Sequence, residues 1–443
     1  MTKYEKIFNR FGIQVPAIML PSESTAMEKW AVIACDQYTS QRDYWSRAAE
    51  ITAGTASTLN LIFPECYLED GDGKERIDSI NNTMKEYMDN AILSEPADGF
   101  ILLKRDTPKT KNRWGLMTAL DLEQYDFSKD SKSLIRATEG TILDRIPPRV
   151  KIRKNALLEL PHIMVLIDDP EKSVIEPLIE TKDSLEKVYD FDLMMESGHL
   201  TGYRVNSEKH LNKLADAIDC LGNPERLKKQ YNSDKAFLFA MGDGNHSLAT
   251  AKTIWENYKK EHAGDPDLMN HPSRWALVEI VNIYSEGIEF EAIHRAIFDI
   301  NSDDFLKALA ADDQFRISKM ENLDDMIKNV DSAGNRQLCG YSSVGGFGLI
   351  EALNPTSSII AGTIQNFIDD YLEKSGGTVD YIHGITITDE LGRNPGNLGI
   401  FLPAISKGTF FQTVIDDGAF PRKTFSMGEA FEKRFYVETR LIK

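Results

Sequence analysis

Apolar residues fall along this chain in two rhythms. In Ile77–Ile92 (IDSINNTMKEYMDNAI) they return every three to four positions, which predicts an amphipathic helix. The same rhythm marks 207–230, LATAKTIWENYKKEH (248–262), Asp303–Leu309 and Thr363–Leu372, and the first hundred residues read as mostly helical. Shorter apolar runs predict strands. FILLKRD (100–106) and WGLMTALDL (114–122) flank the polar, basic PKTKNR in a hairpin pattern. ELPHIMVLIDDP (159–170) reads as a buried strand closed by a turn, and AFLFAM (236–241) as a strand feeding GDGNHS and then a helix. RWALVEIVNIYSEGIEFEAIHRAIF (274–298) reads as strand, Ser-Glu-Gly turn, short strand and the start of a helix; YVETRLI (436–442) reads as a final strand.

Strands and helices interleave too irregularly for a doubly wound sheet, so the expected class is α+β: mixed sheets with flanking helices. No repeat, low-complexity tract or linker breaks the pattern. The expectation is one large unit, 1–443, with a lobe over 1–170 and another over 171–443 that carries the GDGNHS turn.

Composition narrows the function classes. Of 443 residues, 42% are hydrophobic and 27% charged, an ordinary globular balance. Length alone would allow about three domains. The 51 Lys+Arg stand against 69 Asp+Glu, a net charge of −18 that argues against general affinity for nucleic acid or anionic membrane. No apolar run reaches membrane-spanning length, and Pro16 and Pro21 interrupt the N-terminal apolar stretch, so a cytoplasmic chain is expected. Cys35, Cys66, Cys220 and Cys339 are scattered, as expected of structural, mostly buried thiols in a reducing compartment.

The sharpest local feature is Gly242-Asp243-Gly244-Asn245-His246-Ser247. Glycines on either side of Asp243 permit a tight turn, and a helix start behind it offers unpartnered amides to a phosphate. Asp243, His246 and Ser247 add a carboxylate, an imidazole and a hydroxyl. The same residues also suit a plain capped helix start. A basic segment runs from Arg136 through Thr138, Glu139, Thr141 and Arg149 to Arg153. It is suited to phosphate oxygens, though ion pairing with the surplus carboxylates is the expected default for each residue. His294-Arg295 follows an apolar strand, and Asp36 closes another in IACDQYTS. Walker, GxGxxG, HExxH, GxSxG, zinc-finger and helix-turn-helix patterns are all missing, and no metal-ligand spacing is legible.

Several blocks together resemble the prokaryotic domain-of-unknown-function family numbered 1015. They are GDGNHS (242–247), VEIVNIYSEGIEFEAIHR (278–295), Phe420–Phe425, WAVIACDQYTSQRDYW (30–45) and IRATEGTILDRIPPRV (135–150), and the resemblance runs from about residue 14 to the end. The turn is similar to that of the ParB/sulfiredoxin superfamily, which includes ADP-dependent free serine kinases. The resemblance implies a ParB/sulfiredoxin-like core and phosphate-facing roles for Asp243, Gly244, Asn245 and His246. It also implies ATP or ADP with Mg²⁺ as ligand. The chain departs from the pattern at Asn245, where the family has His, and at Ser247, where it has Arg. The second departure removes a charge-assisted contact worth roughly 1.5–3 kcal/mol, which Lys252 or Arg295 would have to supply.

The expected function is a phosphotransferase or phosphohydrolase acting on a small hydroxy-amino-acid-like metabolite. Asp243, His246, His294 and Arg295 would be catalytic; Gly242, Gly244, Asn245, Ser247, Arg136, Thr138, Glu139 and Arg149 would bind the phosphorylated ligand or nucleotide. The competing reading is a nucleotide or metabolite sensor without turnover. A ParB-like DNA-associated role comes third, against the charge.

Overall fold

Phe435–Tyr436 pairs antiparallel with Val32–Ile33, and Arg440–Leu441 with Leu158–Glu159, so the end of the chain is built into its first half. In this computed structural model, which describes residues 1–443, the chain divides into two units: Met1–Ile288 with Gly428–Lys443, and Glu289–Met427. The boundaries fall at 288/289 and 427/428; residue 170 lies inside unit 1, just past a central strand.

Unit 1 begins with helices α1 (Lys3–Arg10), α2 (Arg42–Thr52) and α3 (Gly73–Asp89). The hairpin β1 (Phe100–Asp106) and β2 (Arg113–Asp121) follows, antiparallel as its pattern predicts. Next come α4 (Ile146–Arg153), β3 (Met164–Ile167), β4 (Glu186–Asp192), β5 (His199–Val205), α5 (Glu208–Leu221), α6 (Pro224–Tyr231), β6 (Phe239–Asp243), α7 (Asn245–Glu261) and β7 (Trp275–Asn282). The main sheet runs β4-β5-β1-β2-β7-β3-β6 and continues into the short strands Ile135–Arg136 and Tyr125–Asp126. It is mixed, because β3 lies parallel to β7 and antiparallel to β6.

Alternate residues of β1 and β2 face opposite cores. Leu102, Leu116 and Leu120 pack with Phe8, Leu211 and Trp255; Ile101, Leu103 and Met117 pack with Trp45, Ile33 and Tyr436. A sheet covered on both faces needs apolar residues at every position, which is why these strands read as continuous runs. The helical stretch at 207–230 is broken into α5 and α6 at Gly222-Asn223. The Asn223 side chain accepts from the Glu225 and Arg226 amides, and Pro224 opens the new helix where its missing N–H costs nothing.

Unit 2 comprises β8 (Phe290–Phe298), α8 (Ser302–Ala311), β9 (Phe315–Met320), α9 (Leu323–Asp331), β10 (Gln337–Ser343), β11 (Gly346–Ala352), α10 (Ile360–Ser375), β12 (Thr378–His383), α11 (Ile385–Gly392), β13 (Leu398–Phe401), α12 (Phe410–Asp417) and β14 (Phe425–Met427). Its sheet is antiparallel, ordered β9-β11-β10-β13-β8-β12, with β14 also paired to β8. The expected helix start near 290–298 is a strand throughout. EAIHRAIF fits both periods, and pairing with β12 and β13 on either side decides for the strand. The architecture is thus mixed α and β with mixed sheets and flanking helices. No helix is long and apolar enough to cross a membrane. Cys66 and Cys339 are buried and Cys35 half-buried, but Cys220 is exposed because it lies on the outer face of α5.

Candidate functional site

Strand β6 ends at Asp243 and α7 begins at Asn245, with Gly244 between them in the left-handed region at φ +80°. A Cβ at Gly244 would sit 3.1 Å from both Cα and Cγ1 of Ile163, so glycine is required by conformation and by space. No side chain caps α7, which leaves its positive end to other partners. Gly242 belongs to β6 itself.

Both carboxylate oxygens of Asp243 are engaged. One accepts from the Gly244 amide at 2.9 Å, and the other lies 3.1 Å from the Lys433 ammonium. Burial pushes this carboxyl up, but Lys433, then His162 and the Gly244 amide, together hold it below the ordinary aspartate range. Asn245 Oδ1 accepts from the Thr138 amide at 3.3 Å, and His246 Nε2 accepts from the Ile142 amide at 3.3 Å. Thr138 Oγ1 donates to the Met241 carbonyl at 2.7 Å. These bonds tie the Thr138–Ile142 segment, with Glu139 in it, to the turn. An accepting Nε2 puts the His246 proton on Nδ1.

Ser247, in the first turn of α7, is 2.8 Å from His162 Nε2. The other ring nitrogen is 3.0 Å from the Tyr436 hydroxyl, which also accepts from the Cys35 amide at 3.1 Å. Asp36 Oδ2 stands 3.9 Å from His162 Nε2. When Nδ1–H donates to Tyr436, Nε2 can take the Ser247 proton; in the other tautomer Tyr436 donates and Nε2–H points to Ser247 Oγ. The ring can therefore move a proton at this end of α7.

Ser247, His162, Tyr436 and Cys35 line one end of a cavity of about 140 Å³, with Glu65 and Arg149 also in its wall. Arg149 pairs with Glu65. Burial pushes the Glu65 carboxyl up, Arg149 opposes this, and the charge of Asp36 adds to the rise. Burial likewise pushes the Cys35 thiol well above its usual range, so it is no thiolate.

Four other candidates have partners elsewhere. Arg136 is buried with its guanidinium 4.6 Å from the Phe237 ring centre, and its Nε donates to the Ser133 carbonyl. His294 and Arg295 lie on β8 in unit 2. His294 Nδ1 accepts from the Leu402 amide at 3.1 Å. Arg295 is fully buried, donating to Gln365 Oε1 at 2.7 Å and to the carbonyls of Ile293 and Lys423. Lys252 Nζ donates to the Leu122 carbonyl and pairs with Glu256.

A family described as a protein of unknown function, DUF1015, matches residues 17–369. The chain belongs to that family. No curated protein matches it. Among solved structures, a conserved hypothetical protein from Pyrococcus furiosus is 9% identical at a TM-score of 0.36, over 74% of this chain and 95% of its own. A free serine kinase in complex with AMP is 9% identical at a TM-score of 0.38, over 75% and 95%. A variant of that kinase in complex with ADP is 8% identical at a TM-score of 0.39, over the same shares.

In this DUF1015 chain the local motif reached the turn but not its surroundings. His162, Glu65, Lys433 and Tyr436 carry no motif of their own; Asp36, marked by its place after an apolar strand, and Thr138 and Arg149, marked by the basic segment, are the neighbours with a signal. Lys433 and Tyr436 arrive from the C-terminal segment that returns to unit 1.

Proposed function

We propose that unit 1 is a small-molecule phosphotransferase or phosphohydrolase whose phosphate is taken at the Gly242–Ser247 turn. The observation that carries this reading is the uncapped start of α7, where Ser247 in the first turn is hydrogen-bonded to His162 at the wall of a cavity. A helix start offers oriented N–H groups to phosphate oxygens, and His162 offers a proton acceptor beside them. Phosphoryl transfer asks for this combination of positioned donors and a nearby base. A hydroxyl or water oxygen attacks phosphorus, its proton passes to His162, and the bond to the leaving oxygen breaks as that oxygen takes the electron pair. Asp36 would steady the imidazolium so formed. ATP or ADP with Mg²⁺ is the donor to test. No group of three or more His, Cys, Asp or Glu side chains is arranged to hold a metal, so the ion is tested as the nucleotide complex.

One observation favours binding without turnover: Lys433 at the turn and Arg149 in the cavity wall are already paired with Asp243 and Glu65. The two readings separate by experiment. Thermal shifts with ATP, ADP, CTP and phosphoserine, each with Mg²⁺, should reveal a stabilising nucleotide or phosphate whose effect is lost in Ser247→Ala. Phosphorus NMR with a hydroxyl acceptor then reports turnover, which His162→Ala should abolish. Stabilisation without turnover selects the sensor. No stabilisation by any phosphate defeats both.

A further inference from the structure

The charged side chains of the cavity wall are already ion-paired. Arg149 pairs with Glu65 and Arg153 with Glu159, and Glu159 is held further by Arg440. The wall is otherwise largely apolar, with Leu61, Phe63, Ile80, Met84, Ile152 and Ala156 among its side chains. At one end stand the hydrogen-bonding side chains of His162 and Ser247. A charged ligand group brought here would either lie unpaired against a largely apolar wall or break an existing ion pair, and both are costly. A hydroxyl costs less: inserted between Ser247 Oγ and His162 Nε2, it donates to the imidazole nitrogen and accepts from the serine hydroxyl, replacing one hydrogen bond by two. The size is also informative. At about 140 Å³ the space is close to the roughly 150 Å³ apolar cavity known to admit benzene.

We infer that this cavity holds the apolar body of a small neutral alcohol, of benzyl or branched-alkyl size, with its hydroxyl against Ser247 Oγ and His162 Nε2. The occupant's use as phosphoryl acceptor rests on the function proposed above; its binding does not. The assignment shifts the substrate class away from the hydroxy-amino acid expected from sequence. A zwitterion would have to strip water from an ammonium and a carboxylate against charges that are already matched.

Ligand-observed saturation-transfer NMR on the full chain tests this, with benzyl alcohol and 3-methylbutan-1-ol as probes and serine and glycerol as polar controls. Both alcohols should bind the wild type and displace one another, and the polar controls should give no signal. Ala156→Phe and Ile152→Phe fill the chamber from two sides. Whichever keeps wild-type circular dichroism should bind the alcohols roughly tenfold or more weakly. The inference is overturned if neither alcohol binds the wild type, if a folded filled variant binds them as tightly, or if serine binds as well as benzyl alcohol. The nucleotide thermal shifts are read in parallel. Alcohol binding without any phosphate effect upholds the cavity assignment and defeats the phosphoryl reading; a phosphate effect without alcohol binding does the reverse.

Discussion

Replacing Gly244 by alanine probes the turn on which the site depends. Gly244 sits at φ +80°, where an L-residue pays about 1–2 kcal/mol in steric strain. Its new Cβ would also stand 3.1 Å from Cα and Cγ1 of Ile163. A backbone Cα cannot swing aside as a side-chain tip can, so overpacking adds about 1 kcal/mol or more. The expected destabilisation of unit 1 is therefore about 2–3 kcal/mol. Gly264→Ala is the internal control: its φ is +97°, yet nothing lies within 4 Å of its added Cβ, so only the backbone part applies. Urea midpoints followed by fluorescence and circular dichroism would compare the two. Because the chain has two units, amide exchange in the first turn of α7 should be read alongside. Gly244→Ala should lower the midpoint more than Gly264→Ala, speed exchange at the start of α7 and remove any nucleotide-induced thermal shift. Equal midpoints, or unchanged exchange there, would refute the steric account of the turn.

Three further outcomes follow from buried charge. Burial, then Arg295 and His383, push the His294 imidazole down to about 4 from an ordinary 6.5, so the folded chain keeps it neutral while the unfolded chain takes up a proton. Stability from this group is whole above about pH 6.5 and declines as pH falls to about 4, by about 3 kcal/mol at most; His294→Gln should flatten that slope in guanidinium unfolding. Lys433→Met leaves the half-buried Asp243 carboxylate with one hydrogen bond. It should cost about 1–3 kcal/mol at neutral pH, and the deficit should shrink in acid, where the carboxyl protonates in either protein. Arg434 bridges Glu279 at 2.6 Å and Glu438, all buried. Arg434→Met should lower stability by about 3–5 kcal/mol in urea, and adding Glu279→Gln with Glu438→Gln should recover much of it.

Much of unit 1 was legible because helix period, strand runs and turn sterics are properties of a few neighbouring residues. The apolar spacing of 77–92 and 248–262, the 100–122 hairpin and the need for glycine at 244 are all of that kind. Segment 290–298 was misread because its pattern satisfies two periods, and only the strands on either side choose between them. The arginines at 136 and 295 looked like phosphate ligands from their sequence neighbours. Their environment is a ring, carbonyls and an amide, partners set by packing. The setting of Ser247 shows the division most plainly. Its place in the first turn of a helix follows from the residues around it. Its pairing with His162 and the approach of Tyr436 depend on a sheet register and a C-terminal return that join positions 85 and 274 residues apart. Local sterics and solvation are written within a few residues of each other; which distant side chains share a cavity is decided only when both faces of the sheet are covered.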